Sequence, residues 1–379
     1  MFDADEIADE LCELLRIDSL SGRELAVATV LSHRLEQMGL STRFDDAHKA
    51  IDGQVGNLWA RIDATAPGLP TLMLNAHMDT VKPGCGIQPR REGDLLCSSG
   101  DTILGGDDKA GIVIILAVVR KLLQDRPPHG DIHILFTIAE ETGLTGAKNI
   151  DYTQLEADYA LVLDGGADLG GIFTAAPSAM RLIYDITGKA AHSGVCPEEG
   201  ISAIQAAARG IAQMKLGRID GETTANIGII SGGEARNIIP PNCHLEGEAR
   251  SHDPAKLQAQ VQHMRRCIRQ ACSDIGAELN VEEVSSYTAF ALPDDHPLVA
   301  TALAAAADLG FDAHTKRGGG GSDANIYNEK GIPAIIMPTG ASKPHTLQET
   351  VEVSKLGQCA QYLWAVIHKL QRRPAQQGR

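Results

Sequence analysis

No stretch of this chain reaches the roughly 18 consecutive apolar residues that a membrane-spanning helix requires, so the sequence predicts no transmembrane segment. Basic residues are in deficit: 34 Lys and Arg against 49 Asp and Glu give a formal net charge of −15. A nucleic-acid or anionic-membrane surface needs a basic footprint, and this balance argues against both. We read the charge as solubility rather than substrate steering. Cysteine occurs as eight scattered residues with no CxxC pair, a pattern that suits neither a disulfide scaffold nor a cysteine-ligated zinc site. The opening "MFDADEIADELCELL" is acidic and lacks the basic-then-apolar layout of a signal peptide. The expected compartment is therefore a reducing cytoplasm. Internal repeats and low-complexity tracts are missing as well, and the tail "RRPAQQGR" is expected to fray.

What is present is a globular composition, 43% hydrophobic and 22% charged, in 379 residues. That length exceeds one ordinary core and implies two domains. Residues 4–39 read as an amphipathic helical segment interrupted by the turn "DSLSG". Four apolar runs follow, each ending in polar residues: "TLMLNAHMD" (71–79), "DIHILFTIAEE" (131–141), "YALVLDGG" (159–166) and "GIPAIIMPTG" (331–340). Nearly continuous Ile, Val and Leu suits strands buried on both faces. Helical patterns such as "AGIVIILAVVRKLLQ" (110–124) separate them, so the chain predicts an α/β doubly wound sheet. The middle differs, with "MRLIYDITGKA" alternating like a half-exposed strand. Its order, β-α-β-β-α-β, predicts a small ferredoxin-like antiparallel sheet with helices on one face. The expected organisation is discontinuous: an α/β domain over 1–177, an inserted α+β domain over 178–287, and the first domain resumed over 288–379.

Open α/β sheets bind ligands beyond the carboxyl ends of their strands, and the residues expected there are unusual. His77 and Asp79 end the first run, Glu140 and Glu141 the second, and Asp164 the third, while His345 follows the fourth. The loop "DTILGGDDKAG" adds Asp107 and Asp108 at a helix start. So many acids could not stay ionised together away from water without cations between them. Imidazole and carboxylate without thiolate suits Zn²⁺, Mn²⁺ or Co²⁺ better than Mg²⁺ or Ca²⁺. The count allows two ions with one carboxylate bridging, a site that can acidify water while polarising a carbonyl. One of the adjacent glutamates can then bind metal while its neighbour stays free as a base. Each element alone has a plainer explanation. An HxD is commonly a hydrogen-bonded pair and "EE" a solvated helix start, while "GGDDKAG" resembles a phosphate-cradling loop but lacks its Lys-Ser/Thr and bears acids where phosphate would come. The signal lies in the combination.

Taken in order, "NAHMDTVKPG", "GGDDKAG", "AEETG", "LVLDGG", "GKAAHSG", "RNIIP" and "GGSDANIYNEKGIP…TGASKPH" resemble the M20 family of dinuclear zinc peptidases, in its tripeptidase T-like branch. The likeness covers nearly the whole chain. It implies a zinc-peptidase-like catalytic sheet with an inserted lid and dimerisation domain. By matching motif, it implies that His77 and Asp164 hold one metal, Glu141 and His345 the other, and Asp107 bridges them. Asp79 would fix the His77 tautomer, Glu140 would be the general base, and Asp108 would be a supporting or helix-start residue. His192 would donate to the oxyanion, in this family usually from the partner subunit of a dimer. Asn237 and Arg250 would hold the substrate's terminal carboxylate, a task that suits the planar Arg fork, although a strand-end salt bridge is the competing explanation for Arg250. The loop "RGGGGSD" (317–323) could offer backbone N–H groups to substrate.

Ser193 and His252 depart from the branch pattern near the substrate-facing motifs, Cys196 sits near the candidate lid histidine His192, and Cys85 and Cys97, which flank the metal loop, read as bystanders. The resemblance thus implies a cytoplasmic, homodimeric peptidase with two divalent ions, zinc foremost, that releases the N-terminal residue from short peptides, tripeptides above all. The rivals are an M20-type carboxypeptidase, an amidohydrolase of N-acyl amino acids, and, from another class, a non-catalytic peptide-binding module. A degenerate binder would be expected to lose ligands, and here every ligand position and Glu140 are retained.

Overall fold

The computed structural model describes residues 2–372. They form two compact units, one from residues 2–175, 291–318 and 322–372, the other from 176–290 with 319–321. The short glycine stretch Gly319–Gly321 thus groups with the inserted unit, where a side chain at position 321 would collide with the Tyr287 ring.

The larger unit is built on a mixed sheet whose middle is parallel. Strands Ile132–Thr137, Leu72–His77, Tyr159–Gly166 and Ala334–Ser342 lie side by side in that order. These are the four apolar runs of the sequence. Register aligns their carboxyl ends, with His77 opposite Thr137. Short antiparallel strands flank them: Leu58–Ile62 and Thr42–Phe44 on one side, Thr350–Glu352, Leu95–Ser98 and Pro89–Glu92 on the other.

Both faces of the central strands are covered. Leu72, Leu74 and Ala76 join the main core cluster, whereas Met73 and Asn75 face away from it and are buried too. Period-two alternation places successive side chains on opposite faces, so burial of both registers requires helices on each side. The helix Gly106–Asp125, whose backbone is non-helical at Asp107 and Asp108 so that its first residues form a loop, packs on three of these strands and against the helices Ala4–Leu15 and Val353–Leu370. From Ile112 to Val119 every one of its residues is buried, as expected of a helix that is apolar all round. Each such Leu, Ile or Val contributes about 1.5–3 kcal/mol. Gly111 permits the closest approach, because a Cβ there would strike the Leu163 carbonyl.

The inserted unit carries strands Ser178–Thr187, Thr223–Gly232, Asn242–Ser251 and Glu278–Tyr287, all antiparallel. Helices Ala203–Gln213 and Pro254–Ile275 complete the order expected from sequence. Leu182, Tyr184 and Ile186 alternate inward against Ala206, Val261, Met264 and Ile268. Ser202 and Asp253 cap the two helices by accepting main-chain N–H groups. Beyond Ala225 the outer edge of Thr223–Gly232 pairs with no strand among the described residues, and Ile229 and Ile230 there are 52% and 55% exposed.

Candidate metal centre

Four strand ends and two turns deliver the side chains of the larger unit's polar cluster. His77 is the last residue of its strand, and Asp79 stands two residues on, after the buried Met78. Its Nδ1 lies 2.9 Å from the Asp79 carbonyl oxygen and 3.3 Å from Asp79 Oδ1. Both oxygens only accept, so Nδ1 carries the proton and Nε2 is left for whatever lies on its far side. There stands Asp107, whose Oδ1 is 3.2 Å from His77 Nε2. The other Asp107 oxygen is 3.4 Å from His345 Nε2, which itself lies 2.7 Å from Glu141 Oε1.

Two groups of candidate ligand atoms result. His77, Asp107 and Asp164 form one and Asp107, Glu141 and His345 the other, with the atoms of each group within 4.8 Å of one another. Asp107 belongs to both. A third grouping of the same width joins His77 to Glu140 and Glu141. The turn that presents the glutamates is held in an uncommon conformation: Ala139 has φ 47°, and His345 itself has φ 61°. Non-glycine residues in the left-handed region cost about 1–2 kcal/mol each, and such strain persists where surrounding structure over-determines it. Asp79 provides much of that constraint. Its Oδ1 accepts from the Glu140 N–H (3.0 Å), and its Oδ2 accepts from the Glu141 N–H (3.2 Å) and Ser21 Oγ (2.6 Å).

The electrostatics are those of acids crowded at a largely buried site that is open on the His345 side. Burial, with Asp164, Asp323 and Glu141 nearby, drives Glu140 well above the usual carboxylate range against the pull of His77. Burial and the Asp107 charge do the same to Asp164. Burial would also raise Asp107, yet His345 and His77 outweigh it and hold this carboxyl low. Asp107 and Glu141 in turn push His345 up to about 10. Without cations the cluster thus keeps protons to limit its own repulsion, and divalent ions would take their place. The donor set, imidazole and carboxylate in two groups sharing one carboxylate, fits a pair of such ions.

All five ligand candidates, together with Glu140 and Asp79, therefore come together. Asp108 supports them: its Oδ2 accepts from the His77 N–H at 3.1 Å and its Oδ1 from the Gly111 N–H at 3.2 Å. The remaining three candidates belong to the inserted unit. His192 and Asn237 are exposed on adjoining loops, tied by the Ser193 N–H donating to the Asn237 carbonyl at 3.0 Å. Arg250 donates to Glu248 at 3.0 Å, the salt bridge foreseen as its competing role.

Three buried acids were not singled out from sequence. Glu349 accepts three main-chain N–H groups of the 104–107 loop. Asp323 accepts from Thr137 Oγ1 at 2.6 Å, while its other oxygen has no hydrogen-bond partner among the described residues, and burial pushes it up to about 6. Glu24 accepts from the Gly22 and Ala139 N–H groups at 2.9 and 3.1 Å. Their partners are mostly backbone groups distant in sequence, which leave no motif. The one available signal was an acid standing among residues that fold inward.

Residues 73–369 match the profile of peptidase family M20/M25/M40. The chain belongs to that family. Several solved structures match it nearly end to end. A crystal structure of aminopeptidase PepT from Bacillus cereus is 37% identical, with a TM-score of 0.86 over 97% of this chain and 99% of that one. A tripeptidase from Staphylococcus aureus is also 37% identical, with a TM-score of 0.91 over 98% of this chain and all of that one. A dinuclear metal binding M20 peptidase from Bacillus subtilis, 20% identical, shares the fold over 97% of this chain and 98% of its own, with a TM-score of 0.69. As a member of the M20/M25/M40 peptidases the chain is a hydrolytic enzyme whose peptide hydrolysis is metal-dependent. Among the described residues no helix is long and apolar enough to cross a membrane.

Proposed function

We propose that this M20/M25/M40 peptidase is a tripeptide aminopeptidase that works with two zinc ions held by His77, Asp107, Glu141, Asp164 and His345. The observation that carries this reading is the Asp107 carboxylate, with one oxygen toward His77 and the other toward His345. Sharing one carboxylate between two imidazole-bearing groups is the arrangement a dinuclear site needs. When bound, the ions supply Lewis acidity toward water and the scissile carbonyl. Glu140 takes the proton of the attacking water on its carboxylate and gives it to the leaving amine. Asp79 fixes the His77 proton on Nδ1 and braces the main chain of both glutamates.

To His192 we assign donation to the developing oxyanion. Its Nδ1 accepts from the Gly194 N–H at 3.2 Å, which in the neutral ring puts the proton on Nε2, ready to donate. Asn237 and Arg250 take the substrate's terminal carboxylate; Arg250 would exchange Glu248 for it. The names of the Staphylococcus and Bacillus relatives support a short peptide substrate. A homodimer through the inserted unit is supported by the open edge bearing Ile229 and Ile230, since exposed edges invite pairing. Free thiols on the described cysteines accord with a cytoplasmic setting.

The test is a substrate panel on the zinc-loaded enzyme. Tripeptides should be cleaved at the first peptide bond, ahead of dipeptides. Cleavage of N-acyl amino acids alone would replace this reading with an amidohydrolase. Glu140→Gln should lower kcat by about 10²–10⁴-fold with metal content unchanged, whereas loss of metal would make Glu140 a ligand.

A further inference from the structure

Glu349 occupies a position that neither ligand binding nor proton transfer explains. It is 1% exposed, and its carboxylate is filled by main-chain donors. Oε2 accepts from the N–H groups of Leu104 (2.9 Å) and Gly105 (2.8 Å), and Oε1 accepts from the Asp107 N–H (2.9 Å). The three donors converge because Gly105 adopts φ 74°, a conformation that turns nearby amides toward one anion. No side chain could be interposed, since a Cβ on Gly106 would meet Val351 Cγ2 and lie 3.3 Å from Glu349 Oε1.

Two consequences follow from where this carboxylate sits. Asp107 is held by its own amide, so its side chain leaves the backbone from a fixed point between His77 and His345. The other end of the clamp is on the His345 loop, where the Glu349 N–H donates to the Thr346 carbonyl at 3.1 Å. One side chain therefore ties the loop bearing His345 to the loop bearing Asp107, residues that approach each other to 3.4 Å. We infer that Glu349 is a positioning residue for the dinuclear centre, setting the Asp107 carboxylate so that both ions can share it. This rests on the reading of Asp107 as the bridging ligand.

The test compares chelator-stripped wild type, Glu349→Gln and Gly106→Ala in titrations with Zn²⁺, and in the visible and EPR spectra of the Co²⁺-loaded forms. Glutamine keeps the length but turns an N–H₂ toward amide donors, and Gly106→Ala pushes the same loop off an intact carboxylate. Both variants should bind zinc about 10–100-fold more weakly, and both should lack the spin coupling between paired Co²⁺ ions that is expected of the wild type. Wild-type affinity with unchanged Co²⁺ spectra in Glu349→Gln would overturn the inference. Fewer than two ions on the wild type would instead refute the dinuclear reading itself. Hydrogen exchange on the wild-type chain needs no variant: the Leu104, Gly105 and Asp107 amides should be slow, and rapid exchange at all three would also overturn the inference.

Discussion

His345 Nε2 lies 2.7 Å from Glu141 Oε1 across 204 residues of sequence. In the proposed centre these two complete the second ligand group with Asp107. Replacing His345 by Ala removes its only imidazole. The tight Zn²⁺ stoichiometry should fall from two ions per chain to one, the second affinity dropping by more than about 100-fold. Calorimetric titration against a competing chelator measures it, and retention of two tight ions would exclude His345 as a ligand.

Asp79 accepts from His77, Ser21 and the amides of both glutamates. Asp79→Asn retains the shape but removes the charge and one acceptor. Zinc affinity should fall about 10–100-fold, together with kcat. Separate titration and steady-state kinetics should both register the change, and a variant altered in neither would leave Asp79 without its assigned role.

Glu24 offers a pH dependence outside the ligand set. Burial, reinforced by the Asp79 charge, pushes its carboxyl up to about 7 in the folded chain. An exposed glutamate ionises near 4.3, so the unfolded chain loses this proton first. Stability from this group therefore declines as pH rises from about 4.3 to 7, and the full cost remains above that. Glu24→Gln can keep both accepted hydrogen bonds through Oε1 while abolishing the titration. In metal-free protein the melting temperature of the variant relative to wild type should be higher at pH 8 than at pH 5. A pH-independent difference would show that Glu24 titrates normally.

Ile229 and Ile230 are exposed on the open edge of the inserted sheet. Lysine at both positions blunts such an edge. Light scattering should report a shift from dimer to monomer with the fold retained. A dimer that survives the double substitution must use another surface.

The parts most legible in sequence were those with a local physical cause. "DIHILFTIAEE" signals a strand buried on both faces that ends in acids, because burial demands uninterrupted apolar residues and the ligand end demands charge. The same holds for the runs ending at His77 and Asp164. Short flanking strands such as Leu58–Ile62 and Pro89–Glu92 were not singled out, since their brief patterns resemble loops. Arg250 was legible as a candidate anion clamp, yet its Glu248 partner depends on strand pleat and rotamer. Glu349, Asp323 and Glu24 were illegible because their main contacts are amides and hydroxyls that any residues could have supplied.

By itself the sequence determined the chemistry on offer: imidazole nitrogen and carboxylate oxygen donors, an extra glutamate beside a ligand, and alternating elements that place them at strand ends. Only the tertiary structure decided which atoms meet, because that depends on the register of four parallel strands and on turns held at positive φ. A one-residue slip of register would carry every side chain of a strand to the opposite face. The facing of the two Asp107 oxygens toward different histidines is thus a property of the packed sheet and of the loops fixed at its carboxyl end, not of any motif.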